Sequence, residues 1–348
     1  MSPSDRRAAN LVAEARRRAG LTQAAVARAA GTSQPVVHAY EAARRQPSVV
    51  TLSRLLDASG FDLRLELQER PAHIRLADDR DIPAITALAN ATQLPYQPLV
   101  AQSAVRGAMA GESQADRWWW DRLGQVRTVV AEGHSGRIIG ACSYAVDRED
   151  GIGYILWIVA GDNYAVARAL VHQACGALES CAVVRACWFA TPLSLGLEGL
   201  PAGLLPQADR ALRDCGLAPL DLWLWMVTDD LPECGTPVAG IREAGSGWRF
   251  EVAGDGGQVV AEAEIGCSGD LGVLWWISVD ENLRGQGLGR RLLVQALGAL
   301  ADKGARSAML FVDHDDPETR NRQPAIALYE SVGFRVVDHL LSYESTIR

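Results

Sequence analysis

Between residues 8 and 60 the apolar positions come in short bursts at three- and four-residue spacing, each burst punctuated by a capping residue or a glycine. Ser4 and Asp5 are placed to cap a first helix, in which Leu11, Val12, Ala15 and Ala19 recur before Gly20 ends it. Thr22 opens a second helix carrying Val26, Ala27 and Ala30, and Gly31 supplies the left-handed residue needed after it. Ser33 opens a third, with Pro35 in its first turn, where a missing N–H costs nothing, and with Val36, Val37 and Tyr40 as its core face. A fourth begins at Pro47 and Ser48, bears Leu52, Leu55 and Leu56, and closes at Gly60; residues 61–67 then alternate as a strand would. From residue 72 to the end the pattern changes, strand-like runs alternating with helix-like ones, which predicts α/β architecture.

That second region repeats itself. Residues 157–178 parallel residues 276–300, with the first copy three residues shorter between strand and helix. Ala211, Leu212, Gly216 and Leu217 answer Ala327, Leu328, Gly333 and Phe334. Two tandem units follow the helical segment, with a boundary in the Pro/Gly-rich stretch 228–237. The expected organisation is a helical domain at 1–70 and two mixed-sheet α/β domains at 72–229 and 238–348.

A length of 348 residues suits such a multi-domain reading. No apolar run approaches the roughly 20 residues that cross a bilayer, and the polar start is unlike a signal peptide, so a cytoplasmic protein with no membrane partner is expected. Seven cysteines without a CxxC pair predict buried thiols rather than disulfides, and no metal site. The formal net charge of −8 divides unevenly: residues 1–70 hold 11 arginines against 7 acidic residues, so the helical end is basic on an acidic body. That suits an anionic partner for one end.

The sharpest chemical signal lies in the second unit. A strand runs into Arg284, Gly285, Gln286, Gly287, Leu288 and Gly289, and an amphipathic helix follows with Leu292, Leu293, Ala296, Leu297 and Leu300 on one face. Glycines let backbone N–H groups turn toward a ligand, and the positive end of the helix dipole points the same way, so the loop is built for an anion such as a pyrophosphate. Arg290 stands where a GxGxxG motif needs its last glycine and no GK[ST] follows, which disfavours Rossmann and P-loop sites. The motif resembles the acetyl-coenzyme A loop of the Gcn5-related N-acetyltransferases (GNAT), (R/Q)xxGx(G/A), through Arg284, Gly287 and Gly289. Residues 325–334 resemble that family's ending motif, with its tyrosine at Tyr329. The resemblance implies acetyl-coenzyme A as co-substrate and an amine as acceptor. It implies backbone contacts from Ile277 and Val279, loop contacts from residues 284–290, and Tyr329 as the acid for the departing thiolate. The family's asparagine position is occupied by Arg322, with Asn321 displaced by one. Two bases are open: Glu262 and Glu264, which share one face of a strand, or the cluster Asp313, His314, Asp315 and Asp316, whose charge would favour a cationic acceptor. The first unit shares the frame from His73, but its loop at 161–166 lacks the paired glycines and carries Asp162, so a degenerate copy is expected; Arg213 replaces the tyrosine. Trp118, Trp119 and Trp120 are read as packing or as the floor of a ligand pocket.

The helical segment, LTQAAVARAAGTSQPVVHAYEAARRQ and onward, resembles the phage-repressor type of helix-turn-helix. That implies double-stranded DNA as partner, with Gln23 and Ser33 at phosphates or base edges, Gln34 and His38 facing bases, and Arg44 and Arg45 on the backbone. A homodimer would then read half-sites about 34 Å apart. Ala43 stands where that family usually has glycine. Three functions are open: a regulator fused to a working acetyltransferase, a regulator that only senses acetyl-coenzyme A, and a toxin-antitoxin-like acetyltransferase.

Overall fold

The computed structural model describes residues 3–64, 69–113, 116–233, 236–245, 247–313 and 321–346, which fall into two compact units, Met1–Leu67 and Gln68–Arg348. In the first unit, helices α1 (Pro3–Arg18), α2 (Gln23–Ala29), α3 (Gln34–Glu41) and α4 (Val49–Asp57) surround Val12, Val26, Ala27, Ala30, Val37 and Leu55. Val26 and Val37 are fully buried, each worth roughly 1.5–3 kcal/mol relative to exposure. Thr22 and Ser48 cap α2 and α4 through their side chains, accepting from Ala25 N and Thr51 N. Ser33 occupies the N-cap of α3 without a side-chain capping bond. Two readings need correction. Helix α1 is already helical from Pro3, so Ser4 and Asp5 lie inside its first turn, and Leu11 is 48% exposed because Val12 and Ala15 take the core face. Residues 61–64 form no strand, and residues 65–67 lie outside the described residues.

The second unit is built on one continuous sheet. Its first half comprises β1 (His73–Leu76), α5 (Ile82–Thr92), α6 (Gln102–Ala110), α7 (Arg117–Trp120), β2 (Arg127–Glu132), β3 (Ile138–Val146), β4 (Gly153–Val159), α8 (Tyr164–Ala177), β5 (Val183–Ala186), β6 (Leu200–Pro201), α9 (Pro206–Asp214) and β7 (Ala218–Thr228). The second half comprises β8 (Gly240–Ala244), β9 (Gly247–Ala253), β10 (Val259–Ser268), β11 (Leu271–Val279), α10 (Leu288–Asp302), β12 (Ser307–Asp313), α11 (Gln323–Glu330) and β13 (Arg335–Thr346). The strand order is β1-β2-β3-β4-β5-β13-β7-β12-β11-β10-β9-β8, with β6 on β13. The two copies therefore exchange their last strands: β13 lies between β5 and β7, and β7 pairs with β12.

Two features recur in both copies. The parallel pair β4 and β5 is in register only from Gly153 to Ile155, and β11 and β12 only from Leu271 to Leu274, so each central strand parts from its neighbour beyond those points. Just there each central strand carries a bulge against the preceding strand: Trp157 pairs with Ser143 and Ile155 with Tyr144, while Trp276 pairs with Glu264 and Leu274 with Ile265. A bulge at this point adds local twist and bends the strand. One feature does not recur. Helices α5 and α6 cover one face of the first copy through Ile82, Ile85, Val105 and Ala108, whereas β8 runs into β9 through a turn at Gly245, with no helix between them. In the second copy Leu94, Tyr96, Leu195 and Leu197 of the first copy pack over Leu271, Val273 and Met309 in place of such helices, while Trp275 and Trp276 on β11 stay 44% and 55% exposed.

Candidate functional site

The parting of β11 from β12 opens a cleft of about 600 Å³ in the second copy. The backbone direction follows from the ladder. Asp280 N donates to Val260 O, so alternation turns the Trp276 and Ser278 amides toward β10 and those of Ile277 and Val279 toward the cleft. Both residues line it, as do Arg284, Gly285 and Gly287 from the loop and Gly289 and Arg290 from α10. Gln286 and Leu288 do not: the Gln286 amide donates to Asn282 O, and Leu288 packs on the core. Gly285 (φ 76°) and Gly287 (φ 77°) hold left-handed conformations that L side chains resist. Gly287 is the N-cap of α10 and no side chain caps the helix, so the amides of its first turn and the positive end of its dipole face the cleft.

The far wall belongs to α11 and the residues before it. Tyr329 is 9% exposed, packs edge-on against Phe334 at 6.0 Å, and lines the cleft. Burial pushes its phenol up to about 12, so it stays protonated near neutral pH. Asn321 lines the cleft while its side chain accepts from Gln323 N, tying it to the start of α11. Arg322, at the family's asparagine position, lines the cleft as well, and so do Trp276 and Ser278, which motif reading missed because a strand parted from its neighbour exposes both of its faces. Arg322 is ion-paired to Asp313 at 2.6 Å. Arg284 folds back on its own loop, its Nε donating to Val279 O at 3.1 Å.

The two candidate glutamates part company. Glu264 is engaged by Arg249 and lies outside the cleft lining, whereas Glu262 accepts from the Trp276 indole N–H at 3.2 Å and borders a hollow that shares Ser278, Val279 and Arg284 with the cleft. His314, Asp315 and Asp316 lie outside the described residues. Among the described residues no group of three or more His, Cys, Asp or Glu is placed to hold a metal ion.

The first copy uses the same frame differently. The Asn163 side chain accepts from Val166 N at the start of α8, so this helix supplies its own cap where α10 has none. Arg213 on α9 is ion-paired to Asp209, which also accepts from the Tyr343 hydroxyl. Of the tryptophan run, Trp120 is buried and donates to Ala190 O, Trp119 stacks on Phe189 at 5.8 Å, and exposed Trp118 leans on Trp119. Trp119 and Trp120 pack the core beneath α5 and α6. Cys142, Cys181 and Cys187 are buried; Cys175, Cys215 and Cys267 are half-buried; Cys234 lies outside the described residues.

In the helical unit, Ser33, Gln34 and His38 are exposed on α3, opposite buried Val37. Gln34 donates to the Gln23 side chain at 2.8 Å, Gln23 donates to Glu41 at 2.8 Å, and Arg16 grips the same carboxylate at 2.6 and 3.0 Å. Arg16 and Glu41 were not singled out by sequence, since two residues 25 positions apart carry no local pattern. Burial pushes the Glu41 carboxyl up, but the hydrogen bonds from Arg16 and Gln23 outweigh it and hold the group below the usual carboxylate range. Helix α3 ends with Ala43 N on Tyr40 O and Arg44 N on Ala39 O, which sets exposed Arg44 and Arg45 just past its end.

Comparison with known proteins agrees with both halves of the chain. Residues 7–69 match the family described as "Helix-turn-helix domain", and residues 246–336 match "Acetyltransferase (GNAT) domain". A mycothiol acetyltransferase of Thermobispora bispora is 39% identical over 77 residues, 22% of this chain and 24% of that protein. One from Kocuria rhizophila is 41% identical over 70 residues, 19% of this chain and 21% of that protein. The chain thus spans about a quarter of the length of these relatives. Among solved structures, a tandem GNAT protein from the clavulanic acid biosynthesis pathway is similar with a TM-score of 0.57 at 13% identity, over 79% of this chain and 99% of that one. A GCN5-related N-acetyltransferase from Sphaerobacter thermophilus follows at 0.54 and 15%, over 80% and 97%. No helix of the described residues is long and apolar enough to cross a membrane. The chain thus joins a segment that matches a helix-turn-helix domain to a body with the fold of tandem GNAT structures, whose residues 246–336 match the GNAT acetyltransferase domain.

Proposed function

We propose that the second copy transfers the acetyl group of acetyl-coenzyme A to an amine, small molecule or protein, and that residues 1–70 bind double-stranded DNA. The observation that carries the first reading is the joining of three elements in one cleft: uncapped α10 behind a loop of left-handed glycines, the cleft-facing amides of Ile277 and Val279, and the protonated phenol of Tyr329. The amides at the start of α10 hold the pyrophosphate, with Arg284 and Arg290 beside it. The amides of β11 hold the pantetheine arm and meet the negative charge that develops on the carbonyl oxygen. The amine lone pair forms the C–N bond, the C–S bond breaks, and Tyr329 gives its proton to the leaving thiolate. Glu262 takes the proton shed by the amine; it is better placed than Glu264, whose carboxylate Arg249 engages. The degenerate first copy takes no part, since Asn163 fills the place of the phosphate.

For DNA, the exposed side chains of Ser33, Gln34 and His38 face the major groove while Gln23, locked to Glu41, orients Gln34. Arg44 and Arg45 add phosphate contacts, and two copies of the chain occupy paired half-sites.

The test is calorimetric titration with acetyl-coenzyme A for wild type and Gly287→Glu, followed by thiol release on adding amines. The variant places a carboxylate at the phosphate position and a side chain at φ 77°, and should bind at least tenfold more weakly. Equal affinity would refute the loop assignment, and tight binding with no thiol release from any amine would leave a sensor in place of an enzyme.

A further inference from the structure

The parted strands of the first copy enclose a pocket that the proposed chemistry does not use. It measures about 130 Å³ and lies beside Leu156 to Ala160, where β4 has left β5, the place that corresponds to the cleft of the second copy. Coenzyme A does not fit it, because Asn163 occupies the anion end and the pocket is too small. The described lining contains no charged residue. It is mostly apolar, with Leu193, Leu197 and Leu200 contributed by the connection between β5 and α9.

One polar atom stands out. Trp157 lines the pocket and is 5% exposed, and its indole N–H has no hydrogen-bond partner. The duplication explains why. The corresponding Trp276 gives its N–H to Glu262, which pairs across the strands with Ser278; in the first copy the residue at that register, opposite Val159, is Ala141. The acceptor has been removed and the buried donor kept, an arrangement that folded proteins seldom leave uncompensated. Of the two threonines in the lining, Thr92 donates to Leu88 O, whereas Thr191 accepts from Leu193 N.

We propose that the first copy binds a small, neutral, largely apolar molecule bearing a single hydrogen-bond acceptor, which meets the Trp157 indole. An apolar space of about this size holds a ring of roughly six non-hydrogen atoms. The same connecting segment presses Gly196 against Trp275 and Phe311 of the second copy, where an added Cβ would come within 2.6 Å of the Trp275 ring and 3.0 Å of Phe311. One connecting segment thus lines the pocket and also packs on Trp275 of the second copy.

Cyclopentanone and cyclopentane are matched probes, alike in size and differing in one acceptor. The full chain, labelled with nitrogen-15 at its 10 tryptophans, is titrated with each while the indole N–H resonances are followed. One resonance, identified by its absence in Trp157→Phe, should move saturably with cyclopentanone. The ketone should bind about five- to tenfold more tightly than the hydrocarbon in wild type, and the two should bind equally in Trp157→Phe. Ala89→Leu, on α5 at the pocket edge, should weaken both while leaving the indole in place, and it serves if Trp157→Phe fails to fold. A Trp157 resonance that does not move saturably, a ketone preference that survives Trp157→Phe, or binding unchanged by Ala89→Leu overturns the proposal.

Discussion

All four helices of the amino-terminal unit end in the same way, and one of them uses the wrong residue. At Gly20, Gly31 and Gly60 the chain turns left-handed, with φ 66°, 62° and 80°, and paired backbone bonds reach back into the helix. After α3 the same pair of bonds forms around Ala43 at φ 53°. An L residue in this region costs roughly 1–2 kcal/mol against glycine. Replacing Ala43 by glycine recovers that amount but widens the unfolded ensemble, which costs about 0.4–1 kcal/mol. It also removes a half-buried methyl worth about 0.4 kcal/mol, half of a fully buried one. Central values leave Ala43→Gly about 0.5 kcal/mol more stable, a change of roughly twofold in local opening. Gly31→Ala is the mirror experiment, since an added Cβ there meets nothing within 4 Å. It should destabilise by about 1 kcal/mol through conformation alone. Hydrogen exchange of the slowest amides in α2 and α3 of the full chain reads both. Because the turn is unchanged, Arg44 and Arg45 stay in place and DNA affinity should not fall. Ala43→Gly that loses stability, with Gly31→Ala neutral, would show that the left-handed turn is not strained and that chain entropy governs both.

Other expectations test the sites. Arg44→Ala with Arg45→Ala should lower the slope of log affinity against log salt by about 1.8, two phosphate contacts at about 0.9 each, uniformly across DNA sequences; an unaltered slope places both arginines away from phosphate. Tyr329→Phe keeps the ring against Phe334 and should reduce turnover by about 10² or more with little change in acetyl-coenzyme A affinity. With the phenol at about 12, its ionisation should leave no falling limb in the pH profile below about pH 11, and a limb near pH 9 lost in the Phe variant would contradict that. Because the Glu41 carboxyl is held low when folded, its contribution to stability is full above the unfolded value of about 4.3 and is lost as pH falls below it. Comparing wild type with Glu41→Gln by hydrogen exchange between pH 7 and 3 should show the advantage of wild type vanishing toward acid, and a gap that stays constant would remove Glu41 from that role.

What could be read along the chain was local. Capping residues and glycines marked the helix ends, and the glycine loop and ending motif marked one half of the cleft, because each depends on residues a few positions apart. The exchange of β7 and β13 was hidden, since antiparallel partners far apart in the chain leave no periodic trace. So was the cap that Asn163 puts on α8: the neighbouring Asp162 drew attention as a repelling charge, while the cap depends on a backbone conformation that composition does not reveal. The absence of helices between β8 and β9 was legible as a missing stretch, but the cover that Leu94, Tyr96 and Leu197 of the first copy provide there was not.

The exchanged strands give the body an order of assembly. Strand β5, made early, takes its second partner from β13, which is made after the rest of the second copy, and β7 must wait for β12. Neither half can finish its sheet first, so the two copies should fold as one cooperative unit with long loops to close. Deleting the first copy would strip β7 from between β12 and β13, exposing unpaired strand edges. Each half thus completes the sheet of the other.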